Sequence, residues 1–141
     1  MTDSYDTLET RDPAVREAAL MAALSRQIAH AQQHTRAFAE ILQGVDASAV
    51  TSRQALAALP VTRKYELLAR QQAQRADDAL GGFAAVSFGR AMPRVFASPG
   101  TIYEPEGTGA DYWRIARALY AAGFRSSELV HNCFSYHFTP A

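Results

Sequence analysis

The chain has one cysteine, one lysine and one tryptophan among 141 residues, and no net charge. The lone Cys133 excludes an intramolecular disulfide framework and fits a reducing compartment. Fourteen basic side chains balance fourteen acidic ones, so no global field favours nucleic acid, anionic lipid or an acidic partner. Lys64 stands beside thirteen arginines, which, with the abundant alanine, reads as compositional drift rather than function. No apolar run approaches the roughly 20 residues of a membrane span. The polar, acidic start MTDSYDTLETRD has no apolar core of a secretory signal. The expectation is one domain, cytoplasmic, with neither a nucleic-acid nor a membrane partner.

Helix signals dominate the first half. Asp12 before Pro13 is a start signal, because the carboxylate accepts orphan N–H bonds and proline costs nothing at the first helical position. Leu20, Leu24 and Ile28 recur every four residues as one apolar stripe. Thr35 restarts the helix for a second stripe of Phe38, Ile41 and Leu42, which Gly44 ends. Thr51 with Gln54 is a capping-box pattern opening a short helix that Leu59 and Pro60 terminate. Thr62 opens another, and residues 70–82 read as a polar connection.

From Phe83 the character changes. FAAVSF and RVFAS are short β-rich segments, and Ser98 to Thr101 make a glycine turn. Thr108 with Asp111 caps a helix to Gly123 that carries Tyr112, Ile115 and Leu119, and a last strand starts near Leu129. The fold class is α/β, with residues 1–82 mainly helical and 83–141 running strand, loop, helix, strand. So few strands leave unpaired edges, which implies a homodimer or pairing with a missing C-terminal part. The loop after the strand is where α/β enzymes hold phosphates, yet this one carries Glu104 and Glu106 and no lysine.

LETRDPAVREA, ALPVTRKYELL, FGRAMPRVFASPGT and ARALYAAGFRSSELVHNCFSYHFT, in that order and spacing, resemble the N-terminal part of phenylacetate-CoA ligase and its relatives. These belong to the adenylate-forming, AMP-dependent acyl-CoA synthetase superfamily. The resemblance spans essentially the whole chain and implies the start of an adenylation-type domain. It also implies an enzyme that uses ATP and Mg2+ to adenylate a carboxylic acid, phenylacetate-like or another aryl acid, and passes the acyl group to coenzyme A. Ser98, Gly100, Thr101 and Pro105 fall on the family's phosphate-loop positions, whereas Pro99, Ile102, Tyr103 and Glu104 depart from it. Tyr136 falls in the segment lining the acid pocket, with His137 and Phe138 bulkier than the family's glycines. The family's magnesium ligand, ribose-binding aspartate and C-terminal lysine would lie beyond Ala141, so no catalytic residue is assigned within the chain and the isolated chain is expected to be inactive.

Each feature has a plainer reading. Ser98, Pro99 and Gly100 also make an ordinary tight turn. His30 and His34, four apart, have metal-ligand spacing but no third ligand in the pattern, so they read as a solvated face. His131, Cys133 and His137 share one side of a strand, where Cys133 reads as a small buried hydrophobe and no metal site is assigned. Tyr112, Trp113 and Tyr120 read as helix core. Arg90 and Arg94 flank the loop and are candidates to replace its missing lysine, against a reading as solvated arginines. The alternative function is a non-catalytic relative that binds a partner through its helices and sheet edge.

Overall fold

A computed structural model describes residues 4–133, a mixed chain of helices and one small antiparallel sheet. Helix α1 covers Pro13–His34, with Asp12 Oδ1 accepting from the amides of Ala14 (2.9 Å) and Val15 (3.1 Å). Thr35 both ends α1 and starts α2 (Arg36–Ile41). Its extended backbone stops the first helix, its hydroxyl donates to Ala31 O at 2.8 Å, and the same oxygen accepts from Phe38 N at 3.2 Å. The sequence reading of Asp12, Pro13 and Thr35 holds because each acts on backbone groups within four residues of itself.

Ile28, Leu42 and Val50 form the buried cluster of this half, with Leu24, Phe38, Ile41 and Leu59 packed against it. Two polar side chains of α1 hold the 42–50 connection over the stripe. Gln32 Nε2 donates to Leu42 O and Val45 O, at 3.0 and 2.9 Å, and Ser25 Oγ donates to Val50 O at 2.9 Å. These bonds satisfy carbonyls that have no helix partner.

Helix α3 covers Arg53–Ala57 and α4 covers Lys64–Gln74. Both begin one or more residues later than the sequence pattern suggests. Ser52, not Thr51, caps α3 through its bond from Ala55 N, and Glu66 reaches back to the Arg63 amide at 2.9 Å, leaving Thr62 outside α4. Residues 70–74, expected as connection, are helical. Their weak apolar pattern conceals two tertiary anchors, Arg70 donating to Gly81 O at 2.8 Å and Gln71 bonding the sheet.

The loop after α4 is drawn tight by Asp78, whose carboxylate accepts from Leu80 N and Gly82 N. Gly82, at φ +79, delivers its carbonyl to Ala37 N at 2.9 Å, and a Cβ there would meet the α2 backbone at 3.2 Å. Only glycine allows so close an approach in that conformation. The loop is thereby pinned to the start of α2.

The sheet is a hairpin of β1 (Arg94–Ser98) and β2 (Ile102–Glu106), in register from Arg94 opposite Glu106 to Ser98 opposite Ile102. The expected FAAVSF strand does not form. Among the described residues nothing lies alongside to pair with it, and the chain instead makes bends and an isolated bridge between Gly89 and Met92. Helix α5 is shorter than expected, Ala116–Ala121. Asp111 Oδ1 accepts from Ile115 N and Ala116 N, and Asp111 and Arg114 adopt positive φ, so residues 111–115 form a turn in place of the first helical turns. No strand starts at Leu129 within the described residues. No helix among them is long and apolar enough to cross a membrane.

Gln71 is 3% exposed, and its side-chain amide makes two bonds to the backbone of one residue. Nε2 donates to Tyr103 O at 3.0 Å and Oε1 accepts from Tyr103 N at 2.9 Å. The amide thus occupies the place of a neighbouring strand. Replacing it with leucine leaves a buried donor and acceptor unpaired, so Gln71→Leu is expected to lower stability by about 2 kcal/mol in urea unfolding. A loss under about 0.5 kcal/mol, the size of an ordinary surface substitution, would contradict this role.

Candidate functional site

Ser98, Gly100 and Thr101 come together at the tip of the β1–β2 hairpin. Pro99 and Gly100 are its central residues, Gly100 has φ +98, and Thr101 N donates to Ser98 O at 2.9 Å. Proline second and glycine with positive φ third is the pattern of a type II turn. Thr101 also takes a positive φ, 62°, which is costly for a β-branched residue and turns its hydroxyl-bearing side chain with the exposed tip. The loop therefore joins two antiparallel strands rather than a strand and a helix.

The donors at this tip are few. Proline has no N–H, the Thr101 amide is already spent on Ser98 O, and Ser98 Oγ sits 3.5 Å from Ile102 O. What remains is the Gly100 amide and the Thr101 hydroxyl, both neutral. Tyr136, the expected acid-pocket residue, lies outside the described residues, as does His137.

Arg94 does not stand in for the missing lysine. It occupies the opposite end of β1, about 13 Å along the strand from Ser98, and is committed to Glu106. Arg94 Nε donates to Glu106 Oε1 at 2.8 Å, Arg94 Nη2 bonds the same oxygen, and Trp113 Nε1 donates to Glu106 Oε2 at 2.7 Å. Phe96 meets the Trp113 ring edge-on at 5.9 Å between centroids. Glu106 is thus a buried, fully partnered carboxylate, 6% exposed, and not a charge facing the loop as the sequence pattern suggests. Trp113 is not helix core either, since the 111–115 turn brings its indole to the end of β2. No spacing rule predicts this cluster. The register that sets Arg94 opposite Glu106 was the one available signal, once the turn was located.

An apolar groove of about 290 Å3 runs beside the hairpin, walled by Leu67, Leu80, Phe83, Tyr103, Tyr112 and Trp113. Glu104 borders it and is the acidic side chain of β2 that Arg94 and Trp113 do not hold. Such walls suit an apolar ring better than a phosphate.

The remaining candidates are dispersed. His30 and His34 stack at 4.2 Å, and His34 Nδ1 lies 2.9 Å from His30 O. Among the described residues no three His, Cys, Asp or Glu side chains gather as metal ligands. Cys133 is exposed rather than buried, with its sulfur 3.9 Å from the His131 ring nitrogens. Residues 129–133 form no strand, and the rest of the expected strand lies outside the described residues.

The bond from Trp113, then that from Arg94, holds the Glu106 carboxyl below its ordinary value of 4.5. A lowered folded value means that the unfolded chain binds the proton more readily. The resulting stabilisation is complete above pH 4.5 and is lost as pH falls below it through the depressed folded value. Urea midpoints followed by the single Trp113 emission are expected to drop over that acidic window, and Glu106→Gln is expected to flatten that part of the slope. An unchanged slope would place the acid sensitivity elsewhere.

Neither a protein-family model, nor a curated protein, nor a solved structure matches this chain.

Proposed function

We propose that the chain is the N-terminal part of an ATP-dependent acyl-CoA ligase that activates an aryl or other carboxylic acid through an acyl-adenylate, and that it is inactive on its own. The sequence resemblance supports this reading. The observation that carries it is the gathering of Ser98, Gly100 and Thr101 at one hairpin tip. In such a reaction the acid's carboxylate attacks the α-phosphate and pyrophosphate leaves, after which the thiol of coenzyme A displaces AMP. Donors near the phosphates matter because negative charge accumulates on the leaving group. The residues present do not fit a magnesium site, since both Glu106 oxygens already accept bonds and no other acidic cluster gathers among the described residues. No step is therefore routed through the ion.

With neutral donors and Arg94 engaged by Glu106 at the other end of the strand, the tip is expected to hold ATP weakly. The full 141-residue chain should show no acid-dependent ATP–pyrophosphate exchange, and detectable exchange would refute its inactivity. Glu104→Lys replaces the unheld acidic charge of β2 with a basic one. It should tighten ATP binding by about threefold or more in calorimetric titration if phosphate sits at the tip. No change would leave an ordinary hairpin turn.

A second reading is favoured by the commitment of Arg94 and Glu106 to each other. The charges flanking the loop serve structure, which suits a non-catalytic module that binds through its helices and sheet edge.

A further inference from the structure

The two edges of the hairpin are treated differently. Tyr103 directs its amide and carbonyl to Gln71, so Tyr103 and its register partner Ala97 do not bond each other. In an antiparallel ladder such pairs alternate, which makes Val95 and Pro105 the next one. Pro105 has no N–H to offer there. The outer edge of β2 is thus closed by Gln71 and blunted by proline, two devices that keep strands from pairing further.

By the same alternation the N–H and C=O groups of Val95 and Ala97 point outward from β1. Among the described residues none of these four groups has a partner. The strand RVFAS contains neither lysine nor proline, its arginine is engaged with Glu106, and Val95 is 38% exposed. Four outward backbone groups, bracketed by Pro93 and Pro99, make a short docking edge with defined ends.

We propose that this edge pairs with the β1 edge of a second copy of the chain, forming a four-stranded antiparallel sheet across a two-fold axis at Phe96. The proposal rests on the binding-module reading and names its edge and its partner. The register follows from the outward groups. Val95 opposite Ala97 of the partner exchanges two bonds, and symmetry doubles them to four. Moving the register by two residues in either direction sets Pro93 or Pro99 of one copy against an outward carbonyl, which then finds no N–H to accept from. The favoured register also puts Arg94 across from a serine rather than from another arginine, so like charges do not meet.

A chain of zero net charge meets its copy without long-range repulsion.

The test is absolute molar mass by light scattering together with site-resolved hydrogen exchange on the full chain. Expected are a mass of twice 15.4 kDa and slowing of the Val95 and Ala97 amides as protein concentration rises. Val95→Pro, which copies the device of Pro105, should weaken the dimer about tenfold or more while leaving Trp113 emission unchanged. A monomer whose Val95 and Ala97 amides exchange freely at every concentration would overturn the proposal, even if the proline variant does not fold. Protection that ignores concentration and disappears when residues 134–141 are removed would overturn it too, by assigning the edge to the chain's own end. Tight ATP binding would count against the binding-module reading whatever the mass, so the two failures are distinguishable.

Discussion

Two strands of five residues bury too little to hold themselves together in water, and in this protein the side chain of Gln71 supplies what a third strand would. Its amide is a flat donor–acceptor pair of the same kind as the peptide group it bonds. One residue of α4 can therefore complete the hydrogen bonding of Tyr103 and join the hairpin to the helical half. The remaining links depend on that join. Arg70, one residue earlier on α4, bonds Gly81 O and pairs with Glu40 of α2 at 2.8 Å, and Gly82 bonds Ala37. Helices, loop and hairpin are thus connected through polar contacts more than through apolar volume. Only seven apolar residues are buried among those described.

The same economy governs charge. Arginines are spent on carboxylates from other parts of the chain, with Arg53 on Glu17, Arg117 on Asp6 and Arg94 on Glu106. Exposed pairs such as Arg53–Glu17 contribute little to stability. The Arg94–Glu106–Trp113 cluster differs because its carboxylate is buried, and removing either donor would leave a charged oxygen short of a partner. The consequence for function is that Arg94 is not available to the hairpin tip, while one hairpin edge has no partner among the described residues.

Local signals were legible where a residue acts on its own neighbours. Asp12 and Pro13 start α1, Thr35 divides α1 from α2, and Pro99 with Gly100 makes a turn after the RVFAS strand. Signals failed where distant groups decide. Gln71 looked like part of a polar connection because its value lies in a bond to a residue 32 positions away. Glu106 looked like a charge on the loop because neither Arg94 nor Trp113 is marked as its partner by spacing. Strand composition in FAAVSF was no guide, since a strand needs a neighbour and composition says nothing about one. Residues 111–115 carried helical spacing, but the Asp111 carboxylate offers the backbone a competing set of bonds.

By itself the sequence determined the helix starts, the separation of a helical half from a β-containing one, and a proline–glycine turn bearing Ser98 and Thr101. All of these follow from backbone preferences and capping within a few residues. Only the tertiary structure decided that the turn closes a hairpin, that Glu106 is buried against Arg94 and Trp113, and that Gln71 guards one sheet edge while the other has no partner among the described residues. Those outcomes depend on which backbone groups find partners across the fold, and hydrogen-bond satisfaction between distant segments has no signature in local spacing.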